Sequence, residues 1–465
     1  MENDAFNREE MTEKLLRQGY RYAQLEMPDL NGVPRGKITG IHKALSPSGT
    51  GMSTLTLCGR SADQLCHTPF SNVELGFPKM TAKPDFDTLR PLPWTQDMVG
   101  LLFDFFMNDG TPCPVDTRHM LKKVVKEYDA LGISPLVALE FEVYVFHADA
   151  ALEEQRWRDL KPFGRTTDFY YLTRFPSYFS LAKTFLGRMQ DIGIEVEAFH
   201  TEYGRGMFEF MLAPMPPVEA ADAAVRAKLY FKQLCAEQGL VASFMPVPGM
   251  TAEDTALGLH HNISLWRDDK NICWDEKEQG LSATSRHFAA GMIETMPDFH
   301  VLFRPWVNSY RRMDPDAWSP TSASWALDNH TAAIRTVHGT DPTKLSRFEH
   351  RVPGTDANPY LTIAAMLAGG LHGIRNGKEP PAYGSGDVTK DNRFVPLTTD
   401  LGSSAEQFRC STTARELFGD LFVDHFAITR QQEWADFLSW CGNNDIPAAH
   451  ANVTAWEYEH YFEWA

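Results

Sequence analysis

Four short stretches of the chain set acids, bases or imidazoles between large apolar residues. They are Leu139-Glu140-Phe141-Glu142-Val143, Met207-Phe208-Glu209-Phe210-Met211, Leu259-His260-His261-Asn262-Ile263-Ser264 and Ser346-Arg347-Phe348-Glu349-His350-Arg351-Val352. A β-strand points alternate side chains to opposite faces. On that period Glu140 shares a face with Glu142, His260 with Asn262 and Ser264, and Arg347 with Glu349 and Arg351. Glutamate is depleted in strands, and two carboxylates about 4 Å apart repel by roughly 4 kcal/mol at an effective dielectric near 20. A fold that gathers such acids is expected to neutralise them with cations. Glu140, Glu142, Glu202, Glu209, Glu349 and His260 are the candidate metal ligands. A carboxylate-rich set suits a hard cation such as Mg²⁺, and an imidazole is compatible with Mn²⁺.

The basic residues Arg311, Arg312, Arg335, Lys344, Arg347 and Arg351 all fall between positions 311 and 351. Guanidinium forks hold carboxylates and phosphates bidentately. Divalent cations beside several arginines are the equipment of phosphoryl transfer, which rests on positioning and charge neutralisation. The competing reading is a structural salt-bridge network. The sequence has no G-x-x-x-x-G-K-[ST] loop, no G-x-G-x-x-G after a strand, no H-E-x-x-H and no G-x-S-x-G elbow. A nucleotide, if bound, is therefore not held by a P-loop.

The elements that must position these groups can be read coarsely. Residues 8–18 read as a short helix, and Tyr20–Met27 and Gly36–Ile41 as strands joined by the turn Asp29-Leu30-Asn31-Gly32. Residues 46–51 read as a loop and Met98–Phe106 as a strand. Helices are expected from Asp116 to Leu131, over Pro217–Gly239 and over Asn358–Asn376, where good helix formers run between cap and stop signals. The expected architecture is α+β: a small strand-rich N-terminal part, then a large part whose strands carry the acids. With 465 residues, two or more domains are expected.

Composition narrows the class. Hydrophobic residues make up 43% and charged residues 23%, as in ordinary globular proteins. The net charge of −17 argues against nonspecific nucleic-acid binding. No run of apolar residues is long enough to span a membrane, and the N-terminus lacks the apolar segment of a signal peptide. Seven scattered cysteines without a C-x-x-C pair fit unpaired thiols in a reducing cytoplasm.

In this order the segments resemble the glutamine synthetase family. The motifs that carry the resemblance are Glu140-x-Glu142, His200-Thr201-Glu202-Tyr203-Gly204, Phe208-Glu209, Gly258-Leu259-His260, Asn308-Ser309-Tyr310-x-Arg312, Asn329-x-Thr331-x-x-x-Arg335, Arg347-x-Glu349-x-Arg351-x-Pro353 and Asn358-Pro359-Tyr360. The resemblance implies an N-terminal helix or arm over 1–16, a β-grasp domain over 17–112 and a catalytic domain over 113–465 with a curved antiparallel sheet flanked by helices. It implies a homo-oligomer, a dodecamer of two hexameric rings, with the active site between subunits. Glu142, Glu202 and Glu209 match ligands of a metal near the glutamate substrate, and Glu140, His260 and Glu349 match ligands of a metal that bridges ATP phosphates. Glu197, Asn262, Ser264, Lys344 and Arg347 correspond to ATP-contacting positions, Arg312 and Arg351 to holders of glutamate carboxylates, and Arg335 and His330 to phosphate-stabilising catalytic positions. The implied reaction phosphorylates the γ-carboxylate of glutamate with ATP, and an amine then displaces phosphate.

The departures point to the amine. Ammonia-using members keep a glutamate six residues after the position of Arg312; here Trp318 stands there. The region near Leu57-Cys58-Gly59-Arg60, where those members complete an ammonium site with aspartate, is apolar or basic. Indole offers an apolar face to a larger amine. An arylamine is neutral at physiological pH and needs less anionic help than ammonium. The expected substrate is thus an aromatic or bulky hydrophobic amine, as for γ-glutamylanilide synthetases, with aliphatic monoamines, polyamines and ammonia as alternatives. Asp314 or Asp316 could instead replace the missing acid through a shifted loop.

Overall fold

The computed structural model describes residues 8–249, 255–313, 319–448 and 452–465. Residues 1–7 of the expected N-terminal arm, and Asp314, Asp316 and Trp318, lie outside the described residues.

Six strands build the first sheet: β1 (Tyr22–Pro28), β2 (Pro34–Gly40), β3 (Thr50–Ser53), β4 (Lys79–Pro84), β5 (Arg90–Leu92) and β6 (Met98–Phe106). Their order is β2-β1-β6-β4-β3, with β5 beside β6. The hairpin between β1 and β2 forms at the expected turn, where Asp29 Oδ1 accepts the backbone N–H groups of Asn31 and Val33. Thr50 and Gly51 belong to β3 rather than to a loop. A serine–proline–glycine run masked a short strand whose pairing with β4 is set by tertiary contact.

Eleven further strands follow: β7 (Ser134–His147), β8 (Val196–Thr201), β9 (Met207–Leu212), β10 (Leu240–Ser243), β11 (Leu259–Arg267), β12 (Lys270–Asn271), β13 (Trp274–Asp275), β14 (Gly280–Leu281), β15 (Trp325–Leu327), β16 (Ile334–Val337) and β17 (Arg347–His350). Nine of them make one curled sheet along the path β15-β16-β17-β11-β7-β9-β8, with β10 on β7 and β12 on β11, while β13 and β14 pair apart. All its ladders are antiparallel except β15 with β16. The fold is α+β, as the sequence implied.

One face of this sheet is closed by an aromatic core. Phe141 and Phe210 stack at 5.2 Å between ring centroids, and Phe185 packs on Phe210 at 4.9 Å. Phe231 reaches the same cluster from the helix Pro217–Glu237. Because strand side chains alternate, burying Phe141 and Phe210 on one face sends Glu140, Glu142 and Glu209 to the other. The helices Ala283–Phe303 and Pro359–Asn376 pack together through glycines. A Cβ on Gly291 would stand 2.1 Å from Gly369 O, and one on Gly373 2.0 Å from His287 O, so only glycine permits this approach. Asn358 caps the second helix, its Oδ1 accepting the Tyr360 N–H.

Candidate functional site

Strand register alone brings the candidate residues into a row. Across β7 and β9 Glu142 stands opposite Glu209, and across β9 and β8 Glu209 stands opposite His200. In the other direction Glu140 faces His260, Asn262 faces Glu349, and Glu349 faces Arg335. The row thus crosses β8, β9, β7, β11, β17 and β16.

Two sets of potential ligand atoms stand out among the described residues, each within 4.8 Å of one another: Glu140, His260 and Glu349, and His200, Glu202 and Glu209. Donors around an ion with bonds of about 2.1 Å fall roughly 3–4 Å apart, so small side-chain adjustments suffice to hold a divalent cation at either set. In the first set His260 Nδ1 lies 3.4 Å from Glu140 and 3.8 Å from Glu349. In the second, His200 lies 3.3 Å from Glu209 and 3.7 Å from Glu202. His200 Nε2 is buried and faces the Glu209 carboxylate at 3.3 Å.

Glu142 belongs to neither tight set. The N–H of Gly258 donates to its carboxylate, and its nearest charges are His260, Glu209 and Arg312. The sequence grouped Glu142 with Glu202 and Glu209; the tightest geometry puts His200 in that place. The sequence places His200 in the His200-Thr201-Glu202-Tyr203-Gly204 motif and gives it no role of its own. Its two-residue spacing from Glu202 was the signal that could have found it.

Charge states follow from these neighbours. Burial lifts Glu202 to about 7, with the carboxylates of Glu209 and Glu142 adding to the rise. Burial also raises Glu142, and Glu209 adds to this against the pull of His260. Burial acts the same way on Glu349, but Arg351, His260 and Arg335 outweigh it and hold that carboxyl at about 2. Burial lowers His330, helped by Arg335 and Arg351, so its imidazole favours the neutral form. Acids raised in this way are those a divalent ion would ionise on binding.

The arginines divide between tasks. Arg335 bridges Glu349 at 3.0 Å and also pairs with the exposed Asp328. Arg351, one residue past the end of β17, turns back to Glu349. Arg312 donates to the carbonyl of Val352 at 2.8 Å. The buried Nε atoms of Arg312 and Arg351 have no hydrogen-bond partner among the described residues. Unmet buried guanidinium donors beside the carboxylate row fit an anionic substrate. Arg311 departs from the basic group the sequence suggested, because it pairs with Glu457 of the C-terminal helix.

The expected nucleotide positions are less gathered. Asn262 joins both halves of the row: its amide donates to Glu140 at 2.7 Å and its carbonyl accepts from Arg347 at 2.8 Å. Ser264 lies further along β11 and accepts from the Trp266 indole. Glu197 is exposed where the β8 ladder slips, and Lys344 is exposed and paired with Asp341.

The family model for the glutamine synthetase catalytic domain matches residues 114–461. The chain is 32% identical over 451 residues to type-1 glutamine synthetase 2 of Dictyostelium discoideum, spanning 95% of this chain and 84% of that protein. It is 29% identical over 442 residues to a glutamate–isopropylamine ligase of a Pseudomonas species, spanning 94% and 93%. A solved structure described as a novel glutamine synthase homolog has the same fold, with a TM-score of 0.80 at 21% identity over 95% of this chain and 98% of that one. By sequence match and by fold, the chain belongs to the glutamine synthetase family and is an ATP-dependent ligase.

Proposed function

We propose that the protein joins the γ-carboxyl of glutamate to an amine other than ammonia, at the expense of ATP, and that the amine is aromatic or bulky and hydrophobic. The observation that carries the ligase site is the row of two carboxylate–imidazole sets flanked by buried arginines with unmet donors.

In this reading Glu140, His260 and Glu349 hold one Mg²⁺ or Mn²⁺, and Glu202, Glu209 and Glu142 hold another with His200 beside them. Bound there, the ions supply charge neutralisation for the phosphates and the reacting carboxylate. Arg312 and Arg351 orient glutamate through its carboxylates. Asn262, Ser264, Lys344, Arg347 and Glu197 contact ATP. A γ-carboxylate oxygen of glutamate bonds to the γ-phosphorus as the bond to ADP breaks. Arg335 and His330 stabilise the transferred phosphoryl group. The amine nitrogen then attacks the acyl carbon of γ-glutamyl phosphate; the bond from that carbon to the phosphate oxygen breaks, phosphate leaves and the nitrogen gives up a proton.

Trp318 at the position of a family glutamate carries the preference for a hydrophobic amine, and a relative that ligates isopropylamine supports a non-ammonia acceptor. The relationship to a type-1 glutamine synthetase favours ammonia as the second reading. We also read the protein as a cytoplasmic dodecamer of two hexameric rings; no helix among the described residues is long and apolar enough to cross a membrane. Purified protein with ATP, Mg²⁺, glutamate and a panel of amines, followed by phosphate release, tests the function. Turnover with aniline or benzylamine above that with ammonia is expected. Strong ammonia-dependent turnover with no response to larger amines would overturn the specificity.

A further inference from the structure

Arg304 is a fully buried cation that no carboxylate among the described residues pairs with. It follows the last residue of the helix Ala283–Phe303, and its backbone N–H donates to His300 O at 2.9 Å. A buried charge without an ionic partner is costly. This one is held by neutral acceptors and by the negative end of the helix.

The acceptors lie beside the two arginines assigned to glutamate. Arg304 Nε donates to Val352 O at 3.3 Å. One terminal nitrogen donates to the Ser319 hydroxyl at 3.0 Å and to Pro320 O at 2.8 Å, and the other reaches Met313 Sδ. Val352 follows Arg351, and Met313 follows Arg312. Arg312 donates to the same Val352 carbonyl at 2.8 Å and is itself buried. The chain after β17 is pinned to the same helix end, because the Gly354 N–H donates to Phe303 O at 3.2 Å. One guanidinium fork therefore fixes the residue next to each glutamate-holding arginine and shares an acceptor with one of them. All of these contacts are made within a single chain.

We infer that Arg304 is a positioning residue for glutamate: it touches no substrate, and it sets the place of Arg312 and of the turn after Arg351 so that both guanidinium groups meet the glutamate carboxylates. This inference rests on the reading that Arg312 and Arg351 hold glutamate, and deepens it. A planar fork serves several acceptors at fixed angles, which an ammonium on a flexible stem does not. The like charges of Arg304 and Arg312 also repel, and a carboxylate bound at Arg312 relieves that repulsion.

Steady-state kinetics of Arg304→Gln, Arg304→Lys and Ser319→Ala test it, with Mg²⁺, ATP and the amine that the wild type turns over fastest. Arg304→Gln is expected to raise KM for glutamate about tenfold or more, while KM for ATP moves less than about threefold. Arg304→Lys keeps the cation but not the fork, and is expected to raise KM for glutamate about threefold or more with the same selectivity. Ser319→Ala removes one acceptor and carries the test if the Arg304 variants do not fold; a rise of about threefold in KM for glutamate alone is expected. A purely structural role would lower the thermal midpoint and the yield of active enzyme and leave both KM values unchanged. An unchanged KM for glutamate in a folded Arg304 variant, or in Ser319→Ala where those do not fold, would overturn the positioning role and leave the ligase standing. Equal rises for glutamate and ATP would do the same. Absence of glutamate-dependent ATP turnover in the wild type would overturn the ligase reading and this inference with it.

Discussion

Glu349 is the residue on which two kinds of charge converge. It faces His260 and Glu140 on one side and receives Arg335 and Arg351 on the other. Replacing it with glutamine keeps the shape but removes the anion between two guanidinium groups. Removing one partner of a buried ion pair costs about 3–5 kcal/mol, and losing a charge-stabilising group lowers turnover by about 100-fold or more. Glu349→Gln is thus expected to unfold at lower urea and to lose glutamate-dependent ATP turnover; wild-type turnover would contradict its place in the site. His200→Ala separates metal binding from fold. It is expected to raise the Mg²⁺ concentration for half-maximal activity by about tenfold or more, read from a Mg²⁺ titration at saturating ATP. Glu349 was legible because Arg-x-Glu-x-Arg places three charges on one strand face. His200 was legible only through its two-residue spacing from Glu202, because the residue of β9 that it faces is set by tertiary register.

At the scale of elements, the sheet does the positioning, and its weakest tolerance is at the entry to β11. Gly258 lies one residue before that strand, and its N–H donates to Glu142. A Cβ there would stand 2.5 Å from His260 Nε2 and 3.2 Å from an Arg312 nitrogen. Gly258→Ala must therefore push the imidazole out of line with Glu140 and Glu349, or shift the strand. A displacement of about 1 Å can cost on the order of 100-fold in rate. The variant is expected to lose most activity while its thermal midpoint falls by only a few degrees; full activity would mean that His260 can move without consequence. Strands β7, β9 and β11 were readable because one face packs phenylalanines and the other carries charge, so alternation survives in the sequence. Strands β3 and β8 were not. The first hides behind a serine–proline–glycine loop, and the second is interrupted where its ladder with β9 slips.

For the whole molecule, the first sheet shares an apolar core with the rest, and buried polar contacts between residues remote in sequence tie the two as well; sequence pattern alone does not pair such residues. Glu26 on β1 accepts from Arg226 at 2.8 Å and from the Tyr230 hydroxyl, and Arg430 reaches Asn31. His425 makes a third tie. Its ring, fully buried in the helix Asp420–Asn443, bonds to Thr68 Oγ1 through Nδ1 and to Leu57 O through Nε2, each at 2.9 Å. The carbonyl can only accept, so Nε2 carries the hydrogen and Nδ1 accepts from Thr68. Burial lowers this histidine to about 4, and the positive charge of Arg430 adds to the effect against the Leu57 carbonyl. An unfolded histidine titrates near 6.5, so between that value and about 4 the unfolded chain binds the extra proton and the folded chain does not. Stability therefore rises with pH through that window and is lost as pH falls through it, by on the order of 3 kcal/mol from this group alone. His425→Gln keeps a donor and an acceptor but cannot titrate. Urea unfolding at pH 7 and pH 4.5 is expected to show a smaller acid destabilisation in the variant than in the wild type, and equal losses would mean that the buried imidazole does not couple the two parts to pH.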